Sequence, residues 1–310
     1  MVALLFPGQG SQRPGMGLAW RATPAWGLVD EVSEATGSDV GHLLNDADAE
    51  ELKATRNSQL ATFTLSLVIL DGMRRAVADM DEQVTAMAGH SLGEYTALVA
   101  SGALNRLDGA RLVKARGEAM QAAADADPGT MAAVLGLDVE TVAKACSGAE
   151  GAWVANDNAP GQVVIAGTTV GVETASREAK ELGAKRVMPL PVGGAFHSPL
   201  MAPAQGRLDA ALAVASFAAA TVPVVANVDA RQHTDGASWP QLLSQQLCQP
   251  VRWRESLVDM DSMGVTTFVE LGAGTELSGM VKRTLDEATR ASVATPEDLL
   301  KLSEHLDAAR

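Results

Sequence analysis

Ser91 lies in Gly89-His90-Ser91-Leu92-Gly93, directly after the apolar run VTAMA and directly before EYTALVASGAL, whose apolar residues recur at helical spacing. G-x-S-x-G is the pattern of a nucleophile elbow. A sharp strand-to-helix turn pushes the serine hydroxyl into a cleft. Glycines flank it because side chains there would collide with the neighbouring strand and helix. Such a turn aims the Leu92 N–H at any oxyanion formed on an acyl group carried by Ser91, and the helix N-terminus adds partial positive charge. Five residues alone also describe a glycine-rich turn with an idle serine. The strand before and the helix after favour the elbow.

A serine nucleophile needs a base. The chain has five histidines: His42, His90, His197, His233 and His305. His42 and His233 lie in polar surroundings and His305 in a charged C-terminal helix, all contexts of solvated side chains. His90 adjoins Ser91, but an elbow points neighbours in different directions, which suits a supporting place behind the site. His197 stands in PLPVGGAFHSPLM, after an apolar strand and a Gly-Gly loop and before an apolar helix start. That places it at the mouth of a cleft. No acid stands in a matching loop ahead of it, so the expectation is a Ser91–His197 pair whose histidine is oriented by backbone carbonyls.

Arg116 sits among Val113, Ala115, Gly117 and Ala119, on a helix face pressed against a core. A buried guanidinium requires an anion. It is either an internal ion pair with a nearby Asp or Glu, or a fork for a substrate carboxylate.

These residues must be positioned by a chain of 310 residues with 47% hydrophobic content, enough for a large core. VALLF (2–6) is a short continuous apolar run ended by Pro7-Gly8, the pattern of a strand buried on both faces. Residues 58–79 and 106–120 read as helices. Past residue 124, the order MAAVLGL strand, DVETVAKACSGA helix with Asp138 as N-cap, two strands around a turn at Asn158-Ala159-Pro160-Gly161, VGVETASREAKELGA helix and KRVMPLPV strand forms a split β-α-β-β-α-β unit. Strand–helix alternation then resumes with PVVANV, a helix near 238–248 and TTFVELG, and Thr295-Pro296-Glu297-Asp298 opens a last helix. The expected organisation is a catalytic core of residues 1–123 and 191–310 interrupted by a small ferredoxin-like subdomain at 124–190.

The net charge of −14 argues against nucleic acid or anionic membrane as a partner. No stretch approaches a membrane span, and the N-terminus has no basic n-region. Cys146 and Cys248 are far apart, with no C-x-x-C and no histidine cluster, so neither a disulfide framework nor a zinc site is expected. A cytoplasmic protein with reduced thiols fits, and a monomer is the default.

FPGQGSQ, GHSLGEYTALVASGAL, ARGEAM, GTMAAVLGL, NDNAPGQVVIAG, GAFHSPLM, QPVRW and ELGAGTELSGMVKR occur in this order. Together they resemble the malonyl-CoA:acyl carrier protein transacylases of type II fatty acid synthesis, from residue 2 to about 285. The resemblance implies an α/β-hydrolase-like core with parallel sheet, the ferredoxin-like insert, and an active site between them. It makes Ser91 the nucleophile, His197 the base and Arg116 the grip on the malonyl carboxylate. Gln9 and Leu92 become the N–H donors of the oxyanion hole, and Gln246 the residue whose main-chain carbonyl orients the histidine. Asn156 and Asn158 match an N-x-N stretch lining the cleft, though an Asn pair before Pro-Gly is equally turn chemistry. Phe196 resembles the malonyl-selecting residue of related domains and would crowd an α-methyl group, giving preference rather than exclusion. Two departures stand out: Gln249 replaces the Asn or Ser of many relatives, and Gly193-Gly194 before His197 suggests a locally wider cleft.

The activity so implied is ping-pong transfer of malonyl from malonyl-CoA to acyl carrier protein, with no metal and no cofactor. Because carrier proteins of this kind are acidic like this chain, docking would use local basic residues, Lys185-Arg186 or Lys282-Arg283, unless these are ordinary solvated charges. A stand-alone malonyl transferase of a polyketide synthase or malonate decarboxylase system shares these motifs. A serine hydrolase would have no use for the Arg116 clamp, and a non-catalytic scaffold no use for an intact Ser91, His197 and Arg116.

Overall fold

The computed structural model describes residues 1–77 and 79–308, the side chains of residues 304–308 excepted. Among the described residues the ten strands are β1 (Val2–Phe6), β2 (Val84–Gly89), β3 (Thr130–Leu135), β4 (Ala152–Ala159), β5 (Gln162–Gly167), β6 (Arg186–Pro189), β7 (Val224–Val225), β8 (Gln232–His233), β9 (Thr267–Leu271) and β10 (Thr289–Val293). They form two sheets. The larger runs β10-β9-β1-β2-β7-β8 and the smaller β4-β5-β3-β6. The larger is parallel except for the β7–β8 pair.

The unbroken apolar run of β1 is buried at every residue because helices cover both faces of its sheet. Val2, Leu4 and Phe6 join a core with the helix Thr55–Ala76, which is enclosed through its middle on nearly every side, polar Ser58, Gln59, Thr64 and Ser66 included. Ala3 and Leu5 point the other way, to Trp253, Leu257, Phe268 and Val281. The chain turns out of β1 and β2 at their carboxyl ends, into Pro7-Gly8 and into the elbow, where open α/β sheets place their ligands.

The small sheet is antiparallel, with helices Val139–Ser147 and Thr169–Glu181 packed against it around Val134, Val142, Ile165 and Ala175. This is the expected β-α-β-β-α-β order. Asp138 caps the first of these helices, accepting the Thr141 N–H at 2.7 Å. β4 ties the small sheet to the core. Asp157 N–H donates to the Val251 carbonyl and Val251 N–H to Ala155, each at 2.9 Å, and Arg254 pairs with Asp157 at 2.9 Å.

Three differences from the sequence expectation have local causes. The helix begun at Arg106 continues to Ala126, because the alanines beyond Met120 are strong helix formers that still pack inward. Asn158 belongs to β4, not to a turn. Register shifts within the strand accommodate the Asn pair, and the turn is confined to Pro160-Gly161. β10 was not expected, because TRASV has neither an apolar run nor clean alternation. It lies at the sheet edge, half-exposed beside β9.

Candidate active site

The turn from β2 into the helix Gly93–Ala100 places Ser91 at φ +53°, the left-handed region that non-glycine residues rarely adopt. A Cβ on Gly89 would stand 1.8 Å from the Gly93 carbonyl carbon, and one on Gly93 would stand 2.0 Å from the Phe6 oxygen. Both flanking glycines are therefore obligatory. Asn227 brackets the turn: its Oδ1 accepts the Ser91 N–H at 2.7 Å and its Nδ2 donates to the Gly89 carbonyl at 2.7 Å.

Ser91 Oγ lies 2.7 Å from His197 Nε2, and His197 Nδ1 lies 2.8 Å from the Gln246 carbonyl oxygen. A carbonyl only accepts, so Nδ1 carries the proton and Nε2 offers its lone pair to the serine hydroxyl. The pair is oriented by a backbone oxygen, with no carboxylate on the ring. Burial pushes the His197 pKa down to about 3, with the Arg116 charge as the second cause. The ring is therefore a neutral base at neutral pH.

Arg116 is buried inside the helix Arg106–Ala126. Its Nη1 donates to Gln59 Oε1 at 2.7 Å, and its Nη2 donates to Gln246 Oε1 at 2.8 Å and to Ser91 Oγ at 3.0 Å. The guanidinium also lies 5.5 Å from the Tyr95 ring centroid. All three hydrogen-bond partners are neutral, so these bonds leave its charge without a paired carboxylate. Burial accordingly lowers its pKa from the ordinary value. A fork of this kind beside a nucleophile can hold a carboxylate carried on the acyl group.

Leu92 N–H and Gln9 N–H have no hydrogen-bond acceptor among the described residues. Leu92 follows Ser91 at the helix start, and Gln9 follows β1 in the loop that passes the elbow. A cavity of about 210 Å³ joins Gln9, Ser91, Arg116, Phe196 and His197 from the core to Met131, Asn156, Asn158 and Val164 from the small sheet. The site thus lies between the two sheets. Asn158 Oδ1 is 2.8 Å from His90 Nε2, whose ring packs edge-on against Trp253 at 5.4 Å, so His90 supports the cleft wall. The Gly193-Gly194 pair does not simply widen the cleft. A Cβ on Gly194 would meet the Phe196 ring at 2.8 Å and Ala124 at 2.9 Å, so the ring already fills that space.

His42 pairs with Glu51 at the surface and His233 with Asp229, away from the cavity, while the His305 side chain lies outside the described residues. Both cysteines are free. Among the described residues no His/Cys/Asp/Glu cluster suits a metal, and no helix is long and apolar enough to cross a membrane. Lys282 and Arg283 are exposed at the end of the helix Glu276–Thr284, which lends Leu277 and Met280 to the cavity wall. Lys185 and Arg186 are exposed at the far edge of the small sheet, in β6 and just before it.

Sequence reasoning did not single out Gln59, Glu94, Asn227 or the Gln246 side chain. Asn227 and Ser91 are 136 positions apart, and no local pattern announces such a contact.

An elbow serine, a neutral histidine and free amide donors at the carboxyl edge of an α/β sheet define a serine-dependent acyl-handling protein. The chain belongs to the acyl transferase domain family, whose model matches residues 3–301. The malonyl CoA-acyl carrier protein transacylase of Bacillus subtilis (strain 168) is 44% identical over 304 residues, spanning 96% of this chain and 95% of that protein. The crystal structure of the acyl-carrier-protein S-malonyltransferase from Burkholderia pseudomallei 1710b superposes with a TM-score of 0.93 at 41% identity, covering 98% of this chain and 99% of that one. A type II polyketide synthase malonyl-transacylase, solved in complex with its acyl-carrier protein, superposes with a TM-score of 0.91 at 35% identity, covering 98% and 99%.

Proposed function

We propose that this chain transfers the malonyl group of malonyl-CoA to the phosphopantetheine thiol of acyl carrier protein through a malonyl-Ser91 ester, supplying fatty acid synthesis. The observation that carries this reading is Arg116: a buried guanidinium with neutral partners, 3.0 Å from the hydroxyl that attacks. The carboxylate carbon of a malonyl group lies two bonds from the carbonyl carbon that Ser91 attacks. That carboxylate would supply the anion that Arg116 lacks. An acetyl group cannot, and would leave the guanidinium without that partner.

His197 takes the Ser91 proton as Oγ attacks the thioester. The oxyanion is held by the N–H groups of Gln9 and Leu92. CoA leaves with the proton from His197. The carrier thiol then gives its proton to His197, attacks the ester, and Ser91 recovers its hydroxyl. Asn156 and Asn158 line the entering thioester's path, and Phe196 limits branching at the α-carbon. No metal or cofactor enters these steps. Lys282 and Arg283, on the helix that lines the cavity, are the better candidates for carrier docking. The free thiols of Cys146 and Cys248 suit a cytoplasmic protein.

The test is a chase of malonyl-Ser91 enzyme with holo acyl carrier proteins of fatty acid and polyketide type. Rapid transfer to the fatty acid carrier is the expected result. Release of malonate to water with either carrier would make the protein a hydrolase. Transfer only to the polyketide carrier would favour the second reading, which the likeness to a solved polyketide-type transacylase supports.

A further inference from the structure

Glu94 opens the elbow helix and is only 1% exposed, yet it is not part of the cavity wall. Its Oε1 accepts the Asn227 N–H at 2.6 Å and its Oε2 accepts Gln246 Nε2 at 2.6 Å. The same Nε2 donates to the Ser91 carbonyl at 2.8 Å, while Gln246 Oε1 accepts Arg116 Nη2 at 2.8 Å. The amide of Gln246 is thus held between two acceptors on one side and a cation on the other. Turning it over would set Oε1 against a carboxylate and a carbonyl, and an NH2 against the guanidinium. All of these groups are buried, where such mismatches are costly. Arg116 depends on this acceptor, because its Nε has no partner and its remaining hydrogen bonds are to Gln59 and the serine hydroxyl.

We infer that Glu94 is a positioning residue for carboxylate selectivity: it fixes the orientation of the Gln246 amide, which holds the Arg116 guanidinium towards the acyl group on Ser91. The inference rests on the transferase reading and deepens it. The acid absent from His197 is present one layer further back, where it orders the substrate-binding arginine. It also braces Asn227, whose side chain spans the elbow. Burial pushes the Glu94 carboxyl up, while the N–H donor on each of its oxygens and the Arg116 charge pull it back towards the ionised form that accepts at both. A glutamine at this place keeps the shape but offers one acceptor to two N–H groups. If its oxygen keeps Asn227, its NH2 faces Gln246 Nε2 and drives that amide over.

The experiment is single-turnover acylation of Ser91 by malonyl-CoA and by acetyl-CoA, followed by intact mass, for wild type, Glu94→Gln, Gln246→Met and the double variant, with circular dichroism for folding. Glu94→Gln is expected to narrow the malonyl-to-acetyl rate ratio at least tenfold. Gln246→Met keeps the carbonyl that serves His197 and should narrow the ratio similarly. The double variant should add less than threefold to that, since both changes act on one link. Equal losses for both donors would indicate a merely structural role and overturn the inference, as would an unchanged ratio in a folded Glu94→Gln. If Glu94→Gln does not fold, a wild-type ratio in Gln246→Met overturns it instead. Wild type that takes no malonyl group would remove the transferase reading and this inference with it. Malonylated wild type with an unchanged variant ratio would remove the inference alone.

Discussion

At the scale of single residues, the chemistry turns on two buried titratable groups, one neutral and one charged. His197 stays neutral because protonation inside the protein is opposed first by burial and then by Arg116. A base of this kind works in its neutral form, so the acylation rate should hold as pH falls through 6.5, where a free histidine would begin to fail. A pH–rate profile checks this, and an acid limb centred at 6.5 or above would contradict it. Arg116→Ala should lower malonyl acylation roughly 10- to 100-fold, the worth of charge-assisted hydrogen bonds, with a much smaller effect on acetyl. It should also move the acid limb upward, because a positive neighbour of His197 is gone. Parallel losses for both donors would deny Arg116 its role. Ser91 stood out in the sequence by its glycine-framed turn and His197 by its loop before an apolar helix start, whereas the setting of Arg116 left an internal ion pair and a substrate fork both open until the family resemblance was added. Glu94 did not stand out. A glutamate in the first turn of a helix looks like an ordinary favourable surface charge, and only the fold buries it. Gln59 and Asn227 are neutral amides whose partners lie 57 and 136 positions away, so no spacing rule reaches them.

At the scale of elements, the elbow is a packing device as much as a catalytic one. Gly93→Ala would place a methyl group 2.0 Å from the Phe6 oxygen in a rigid parallel sheet. A loss of stability of at least about 3 kcal/mol is expected, at the upper end for overpacking, read as urea midpoint and slope. A neutral result would mean the turn is looser than described. The strands and helices with strong periodicity were legible, as was the Asp138 cap. β8 and β10 were not, because two residues or a half-exposed edge leave no pattern. The helix Glu276–Thr284 both walls the cavity and carries Lys282 and Arg283. Reversing these two to Glu should slow transfer to carrier protein severalfold, more so at low salt, while acylation by malonyl-CoA keeps its rate. An unchanged transfer rate across salt concentrations would move the docking surface elsewhere.

At the scale of the whole molecule, the site exists only where the two sheets meet, and β4 holds that junction through Val251, Arg254 and His90. The split β-α-β-β-α-β order announced a second sheet, but not how it would face the first. That orientation depends on part-buried polar contacts such as His90–Asn158, made between residues far apart in the chain. The same burial ties stability to pH. His197 is expected near 6.5 in the unfolded chain and is held at about 3 in the folded one. Between these values the unfolded state binds the extra proton, so this group's contribution to stability is lost as pH falls below 6.5. His197→Gln should therefore gain stability relative to wild type as pH is lowered from 6.5 towards 4, measured by thermal melting. A constant difference across that range would show that the ring is not held neutral by the fold.

The most direct measurement is intact-protein mass after brief exposure to malonyl-CoA, for wild type and Ser91→Ala, with acetyl-CoA in parallel. The account predicts a malonyl adduct on wild type alone, formed far faster than any acetyl adduct. An adduct that persists in Ser91→Ala, or acetyl taken up as readily as malonyl, would contradict it.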